Sequence, residues 1–170
     1  MSIGDFDLKA LYAALDAERT ARGLTWTQAT REINSVGPIP QLHPIATSTI
    51  TGLRTKNVAE GAGVLQMLRW LRRAPESFMS GLPPALAVST LPPAEVREVL
   101  RFDTNKLYES LDVRRRARSL TWQEVAGETG VPESHIRGLK KGGRTGFPGV
   151  MRLTRWLQQP ASEFVRMSLY

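Results

Sequence analysis

Apolar residues recur three and four positions apart along much of this chain, a spacing typical of amphipathic helices rather than strands. The clearest case follows Thr121 and Glu124, which form the N-terminal signal of a helix. In this signal the threonine hydroxyl and the glutamate carboxylate each accept a hydrogen bond from an otherwise unpaired backbone N–H. The predicted inner face of the helix consists of Val125, Ala126 and Thr129.

A second short helix is predicted directly after this one. Gly130 stands where the chain needs a left-handed residue to leave one helix and turn into the next. Pro132 suits the first turn of the new helix because proline has no N–H to leave unpaired there. Ile136 and Leu139 are three residues apart and are predicted to face inward. The predicted outward face consists of Glu133, Ser134, Arg137, Lys140 and Lys141.

An internal repeat relates the two halves of the chain. Residues 6–26 recur as residues 102–122, at an offset of 96, and share Phe-Asp, Leu-Tyr, Leu-Asp and Leu-Thr-Trp. A repeat of this length indicates two duplicated domains rather than a solenoid. Each repeat is predicted to begin with an amphipathic helix capped by Asp7 or Asp103, with a stripe of leucine and tyrosine in the core.

The repeats differ between their second and third helices. From Thr49 onward the offset falls to 86, so the first repeat carries ten extra residues in this region. Three prolines in the inserted segment predict a stiff, irregular loop. The third helix of the first repeat is therefore expected at the same place in the fold, but after a longer connection.

The repeats agree again near their ends. Residues 63–71 and 149–157 share a Gly-Val start and an Arg-Trp-Leu end, and their apolar spacing predicts a closing helix in each repeat. Trp70 and Trp156 are predicted to be buried in these helices. Phe78 and Phe164 follow at the same offset and are predicted to pack in the two cores.

These features predict an all-α fold with two domains of four to five helices each. The first domain spans residues 1–80, and the second spans residues 102–170. Between them, residues 81–101 contain two pairs of prolines and are predicted to be an extended, semi-rigid linker. Residues 94–100 within the linker could form a short helix.

The net charge of the chain favours one class of binding partner. The formal net charge is +7 and the isoelectric point is about 10.4, which favours a polyanion, most commonly nucleic acid. Residues 86–170 carry 14 basic and 9 acidic residues, against 9 and 7 in residues 1–85. The second repeat is therefore expected to interact more strongly with phosphate. A basic protein that is merely soluble is the alternative explanation of the charge.

The sequence lacks the residues that several kinds of metal site and active site require. The chain has no cysteine, and its two histidines, His43 and His135, are not at a spacing that predicts a metal site. The sequence has no glycine-rich phosphate loop and no serine–histidine–acid grouping, so no enzyme activity is predicted. No apolar run approaches the ~20 residues of a membrane span, so a cytoplasmic location is expected. No cofactor is expected.

Residues 122–141 resemble the helix-turn-helix of the lambda-repressor-like, or XRE, family of bacterial DNA-binding regulators. The resemblance includes Ala126, Gly130, Ile136 and Leu139. It implies two tandem lambda-repressor-like bundles, double-stranded DNA as partner and a sequence-specific transcriptional regulator, with the second helix of the motif in the major groove. The first repeat departs from the family pattern, because it has Thr30 in place of a small residue and Pro44 in place of glycine.

Carried over residue by residue, the resemblance assigns three groups of candidate DNA contacts. Base reading is assigned to Glu133, Ser134 and Arg137, of which Arg137 could donate to guanine and Glu133 could accept from cytosine. Each of the three could instead be an ordinary solvated helix residue. Phosphate contacts are assigned to Trp122, Gln123, Lys140, Lys141, Gly143 and Arg144. Possible contacts of the first repeat are Thr47, Ser48, Thr51, Arg54 and Lys56.

Two unequal modules in one chain predict an asymmetric DNA site if the protein is monomeric, and a homodimer is the alternative. The competing function is a protein-interaction adaptor or antitoxin-like module that uses one or both bundles. The proline-rich insertion and low charge of the first repeat favour a protein partner for that half.

Overall fold

The computed structural model describes residues 5–35, 44–82, 91, 98–142 and 145–169. In these residues the chain is mostly helical, with eight α-helices and one small sheet. The helices of the first repeat are α1 (Leu8–Ala21), α2 (Trp26–Ser35), α3 (Thr47–Thr51) and α4 (Gly61–Leu71). Those of the second repeat are α5 (Thr104–Ala117), α6 (Trp122–Thr129), α7 (Glu133–Gly138) and α8 (Phe147–Leu157).

Short 3₁₀ turns extend the repeated order of elements. One turn follows the third helix of each repeat, at Gly52–Arg54 and at Leu139–Lys141. Another follows the fourth helix, at Pro75–Phe78 and at Ala161–Phe164. The two halves therefore share one order of elements, in keeping with the repeat in the sequence. None of the helices in the described residues is long and apolar enough to cross a membrane.

The predicted helix starts are confirmed. Asp7 accepts a hydrogen bond from the backbone N–H of Ala10 at 2.9 Å, and Asp103 accepts one from Lys106 at 3.0 Å. At the start of α6 the two predicted bonds of the capping signal are both present, because Thr121 N–H donates to the Glu124 carboxylate and Glu124 N–H donates to the Thr121 hydroxyl. These local bonds fix where the helices begin.

The predicted glycine turn between α6 and α7 is also confirmed. Gly130 has φ of 71° and is the C-cap of α6. The Thr129 hydroxyl donates to the carbonyl of Val125 at 2.8 Å and accepts from Val131 N–H at 3.2 Å, which stabilises the turn. Pro132 has extended backbone and lies one residue before α7, as its N-cap, rather than in its first turn.

Asn34 accommodates the insertion of the first repeat. Its side-chain amide donates to the carbonyl of Ile45 at 2.9 Å and accepts from the backbone N–H of Ile45 at 2.8 Å. At the offset of 96, Asn34 rather than Pro44 aligns with Gly130, and at the offset of 86, Ile45 aligns with its neighbour Val131. The side chain thus joins the two ends of the inserted segment, and α3 can follow α2 much as α7 follows α6. Residues 36–43 of the predicted stiff loop lie outside the described residues.

A two-stranded sheet corrects the all-α prediction. Strand β1 (Glu98–Phe102) pairs antiparallel with β2 (Val165–Leu169), and Leu100 lies opposite Met167. The short helix predicted for residues 94–100 is therefore wrong from Glu98 onward, and residues 92–97 lie outside the described part. Leu100 and Phe102 are buried while Arg101 is exposed, a two-residue alternation that becomes a strand only because a distant partner strand is available.

The buried side chains of both repeats belong to one continuous core. The leucines of the predicted stripes are buried, but Tyr12 and Tyr108 are half-buried and pack against the core. The buried predicted residues are Leu11, Leu15, Leu107, Leu111, Ile136, Leu139, Phe78 and Phe164. Trp70 is buried as predicted, but Trp156 is only half-buried. Its indole N–H donates to the Glu128 carboxylate at 2.7 Å, so the ring edge stays at the surface, where its polar atom has a partner.

Candidate nucleic-acid interface

The outward side of α7 is exposed. Ile136 of α7 and Leu139 of the following turn are buried, which anchors one side of this segment in the core. Because successive residues of an α-helix are about 100° apart, Ser134 and Arg137 lie on the side away from Ile136. Ser134, Arg137, Lys140 and Lys141 are all exposed, and Glu133 is half-buried. We call these five residues the α7 face.

An ion pair on the α7 face joins two of the predicted base-reading residues. Arg137 Nε donates to Glu133 Oε1 at 2.6 Å, and their side chains are 59% and 37% exposed. Among the residues that the structure describes, the two Nη groups of Arg137 have no protein partner. The four-residue spacing of opposite charges could have predicted this pair from the sequence.

Lys140 of the α7 face is held against an aromatic column. Its Nζ lies 5.9 Å from the centre of the Tyr108 ring, and Tyr108 stacks on Trp122 with ring centres 5.1 Å apart. The guanidinium of Arg115 covers the other ring, 4.8 Å from the centre of Trp122. The Trp122 side chain is buried, so only its backbone is available for the predicted phosphate contact. Gln123, the next residue, is exposed.

The same column is present in the first repeat. Arg54 lies 5.7 Å from the Tyr12 ring centre, Tyr12 stacks on Trp26 at 5.3 Å, and Arg19 lies 4.8 Å from Trp26. Arg54 is equivalent to Lys140. Each repeat therefore places one cation over a tyrosine ring directly after its third helix, where cation–π attraction restrains it.

The corresponding surface of the first repeat is less charged around α3. Ser48, Arg54 and Lys56 are exposed, whereas Thr47 and Thr51 are half-buried. The Thr51 hydroxyl donates to the carbonyl of Thr47 at 3.2 Å, so part of its hydrogen-bonding capacity is used within the helix. All five predicted first-repeat contacts thus lie together, but with hydroxyls in place of the Glu133 and Arg137 charges.

Two predicted phosphate contacts, Gly143 and Arg144, lie outside the described residues. Gly142 before them is exposed and has φ of 74°, a left-handed conformation that suits glycine. Beside Gly142 and α7 is a cavity of about 560 Å³ between the two repeats. Its walls include Asn57, Val58, Ser134, His135, Gly138 and Pro148. Sequence patterns gave no sign of this cavity, because Asn57 and Val58 are far from its other walls in the chain.

Arginines of the basic run at residues 114–118 make contacts within the fold, although Arg116 and Arg118 are exposed. Arg118 contacts Glu128 at 2.6 Å, and Arg114 donates to the carbonyl of Leu157 at 3.0 Å. Hydrogen bonds from Arg118 and then Trp156 lower the pKa of Glu128, and the bond to Glu128 raises the pKa of Arg118. These arginines hold α5, α6 and α8 together, so they add little free charge to the α7 face.

A matching network in the first repeat has the same structural use. Arg22 contacts Glu32 at 3.3 Å, and the Trp70 indole N–H donates to Glu32 at 3.0 Å. These residues are equivalent to Arg118, Glu128 and Trp156. Sequence reasoning missed both networks, although the shared arginine, glutamate and tryptophan of the two repeats were the available signal.

Comparisons with known proteins do not assign this chain to a family. No protein-family model matches the sequence, and no curated protein or solved structure matches the chain. In the described residues, no group of three or more histidine, cysteine or carboxylate side chains could hold a metal ion.

Proposed function

We propose that the protein is a sequence-specific DNA-binding transcriptional regulator whose second repeat is a helix-turn-helix module. The observation that carries this proposal is the α7 face, where Arg137 is exposed on the side away from buried Ile136, and Lys140 and Lys141 are exposed in the turn that follows the helix. A short helix fixed from behind, with exposed cations in front, suits the major groove and the phosphates along its edges.

In this proposal some residues of the α7 face contact bases and others contact phosphates. Arg137 has two unoccupied Nη groups in the described structure, and a guanidinium can donate two hydrogen bonds to O6 and N7 of guanine. Lys140 and Lys141 lie one turn further along and contact phosphates, as does exposed Gln123 at the start of α6. Ser134 contributes a hydroxyl that tolerates several bases.

The net charge of +7 supports a polyanionic partner. Binding to a duplex through several cations releases condensed counterions, so the association constant should fall steeply with salt concentration. The test is a titration of random-sequence duplex with the full chain at several salt concentrations. We expect binding at low salt and a linear decrease of log K with log salt. Absence of duplex binding at low salt would overturn the proposal.

A protein-interaction adaptor or antitoxin-like module is the second candidate. The observation that favours it is Val58, which is 68% exposed and lies at the edge of the cavity between the repeats. An exposed apolar side chain beside a cavity suits a protein partner better than a phosphate backbone. This candidate predicts no duplex binding in the salt titration.

A further inference from the structure

The two repeats contact each other through residues that are equivalent in the repeat alignment. An antiparallel bridge joins Glu60 to Gly146, which are equivalent at the offset of 86. On one side of it, Gly61 N–H donates to the carbonyl of Thr145 at 2.8 Å. On the other side, Phe147 N–H donates to the carbonyl of Ala59, also at 2.8 Å.

These two hydrogen bonds are reciprocal. Gly61 is equivalent to Phe147, and Ala59 is equivalent to Thr145, so exchanging the repeats converts one bond into the other. A contact in which each residue meets its own equivalent is isologous and requires a local two-fold axis. A simple translation of one repeat along the other would instead pair two different surfaces.

Aromatic contacts at the junction are also related to each other by exchange of the two repeats. The Phe6 ring of the first repeat lies 4.5 Å, centre to centre, from Phe147 of the second. Its equivalent, Phe102, lies against Gly61 of the first repeat, with ring carbons 2.9 and 3.0 Å from the position of a Cβ there. The segment before the opening helix of each repeat therefore crosses to the fourth helix of the other.

The symmetry is approximate, and the two halves are complementary rather than identical. Phe147 also contacts Phe102, with ring centres 5.5 Å apart, so its ring fills space between the two crossing segments. At the equivalent position, Gly61 has no side chain to compete for that space. The junction thus fits one copy of each repeat.

Resting on the proposed function, we infer that the chain binds duplex DNA containing two half-sites of inverted orientation, one for α7 and one for α3. Two DNA-reading helices related by a two-fold axis require half-sites related in the same way, because operator symmetry mirrors protein symmetry. The half-sites differ in sequence, since α7 presents Glu133, Ser134 and Arg137 where α3 presents Thr47, Ser48 and Thr51.

Because Ser48 and Ser134 are equivalent, two substitutions are enough to test this inference. Thr47→Glu with Thr51→Arg gives α3 the same three side chains as α7, and both substituted residues are half-buried. The full-length parent and this double variant are each used to select bound duplexes from a random pool. We expect the parent to select two unequal arms and the double variant to select a palindrome, in which the second arm becomes the inverted copy of the α7 arm.

A matched control introduces the same two residue types elsewhere in the first repeat. Ala13→Glu with Thr20→Arg gives α1 the residues found at the equivalent positions of α5, Glu109 and Arg116, and both sites are exposed. This control should select the site of the parent. A direct repeat, or an unchanged site, selected by the folded α3 variant would overturn the inference.

The parent chain provides a second measurement that does not depend on a variant. When the α3 arm of the selected site is reversed at constant spacing, we expect binding to weaken about tenfold or more, because several base contacts are lost together. Equal binding of both orientations would overturn the inference and leave DNA binding intact. If the parent chain binds no duplex DNA at low salt, the proposed function itself is wrong.

Discussion

The Nε of Arg137 donates to the carboxylate of Glu133, one helical turn earlier, at 2.6 Å. An exposed pair at this spacing contributes only about 0.3–0.5 kcal/mol to stability, so its main effect is on the orientation of the guanidinium. Since Nε is occupied, the two Nη groups remain for a partner. This arrangement suits end-on recognition of guanine. Substitutions of Arg137 and of Glu133 are therefore expected to change DNA binding in different ways.

Arg137→Ala should lower sequence specificity. The variant loses the two proposed bonds to one guanine, which should cost about 1–3 kcal/mol with the selected site and much less with random duplex. The measurement is a pair of binding titrations, one on each DNA. Equal losses on the two DNAs would show that Arg137 contacts phosphate instead of a base.

Lys141→Ala should weaken all sequences to a similar extent. A lysine that contacts phosphate contributes to counterion release, so its loss should reduce the salt slope by about one. The matched control is Arg116→Ala, which removes one positive charge from α5, where the side chain is 74% exposed. The control should leave the salt slope close to that of the parent. A specificity change in Lys141→Ala would contradict the assigned role.

Substitutions at Glu133 should separate orientation of Arg137 from direct reading of cytosine. Glu133→Ala removes the acceptor of Nε and a carboxylate near the phosphates, so binding to random duplex should rise while the preference for guanine falls. Glu133→Gln keeps an acceptor oxygen and should retain that preference. The measurement is the base preference at each position of the selected site. Loss of a cytosine preference in both variants, with guanine preference unchanged, would instead indicate that Glu133 reads a base.

Gly61→Ala should destabilise the protein through the junction between the repeats. The new Cβ would lie 2.9 Å from a ring carbon of Phe102 and 3.1 Å from the carbonyl oxygen of Thr145. Overpacking of this kind costs about 1–3 kcal/mol. The free energy of unfolding in urea measures the effect.

Gly149→Ala is the control for Gly61→Ala. Gly149 lies inside α8, and nothing is within 4 Å of the position of an added Cβ. Because alanine favours helix over glycine by about 1 kcal/mol, this variant should be as stable as the parent or more stable. Equal losses in the two variants would refute the tight junction at Gly61.

Glu128 should contribute stability that depends on pH. Hydrogen bonds from Arg118, and then from the Trp156 indole, hold the pKa of this carboxyl below its usual range. A depressed pKa in the folded state stabilises the fold above the ordinary glutamate pKa of about 4.3, and this contribution is lost as the pH falls through the folded value.

The corresponding variant is Glu128→Gln. Its free energy of unfolding should be lower than that of the parent at pH 7, and the difference should shrink progressively below about pH 4.3. Urea unfolding of both proteins over a pH series provides the measurement. Glu109→Gln, at an exposed site of α5, is the control and should follow the parent. A difference that stays constant with pH would exclude the assigned cause.

The sequence by itself determined the local structure of the protein. Helix caps at Asp7, Asp103 and Thr121, the left-handed turn at Gly130 and the repeat of elements all depend on residues a few positions apart, and patterns in the chain record such neighbours directly. Even the Glu133–Arg137 pair was within reach, since opposite charges four residues apart share one side of a helix.

Only the tertiary structure decided how the two repeats meet. The reciprocal bonds around Glu60 and Gly146, the place of Phe147 beside Gly61, and the strand at residues 98–102 all join segments far apart in the chain. Backbone pairing and ring packing of this kind depend on which surfaces come within contact distance. That proximity is a property of the folded chain, and no periodicity or local signal in the sequence encodes it.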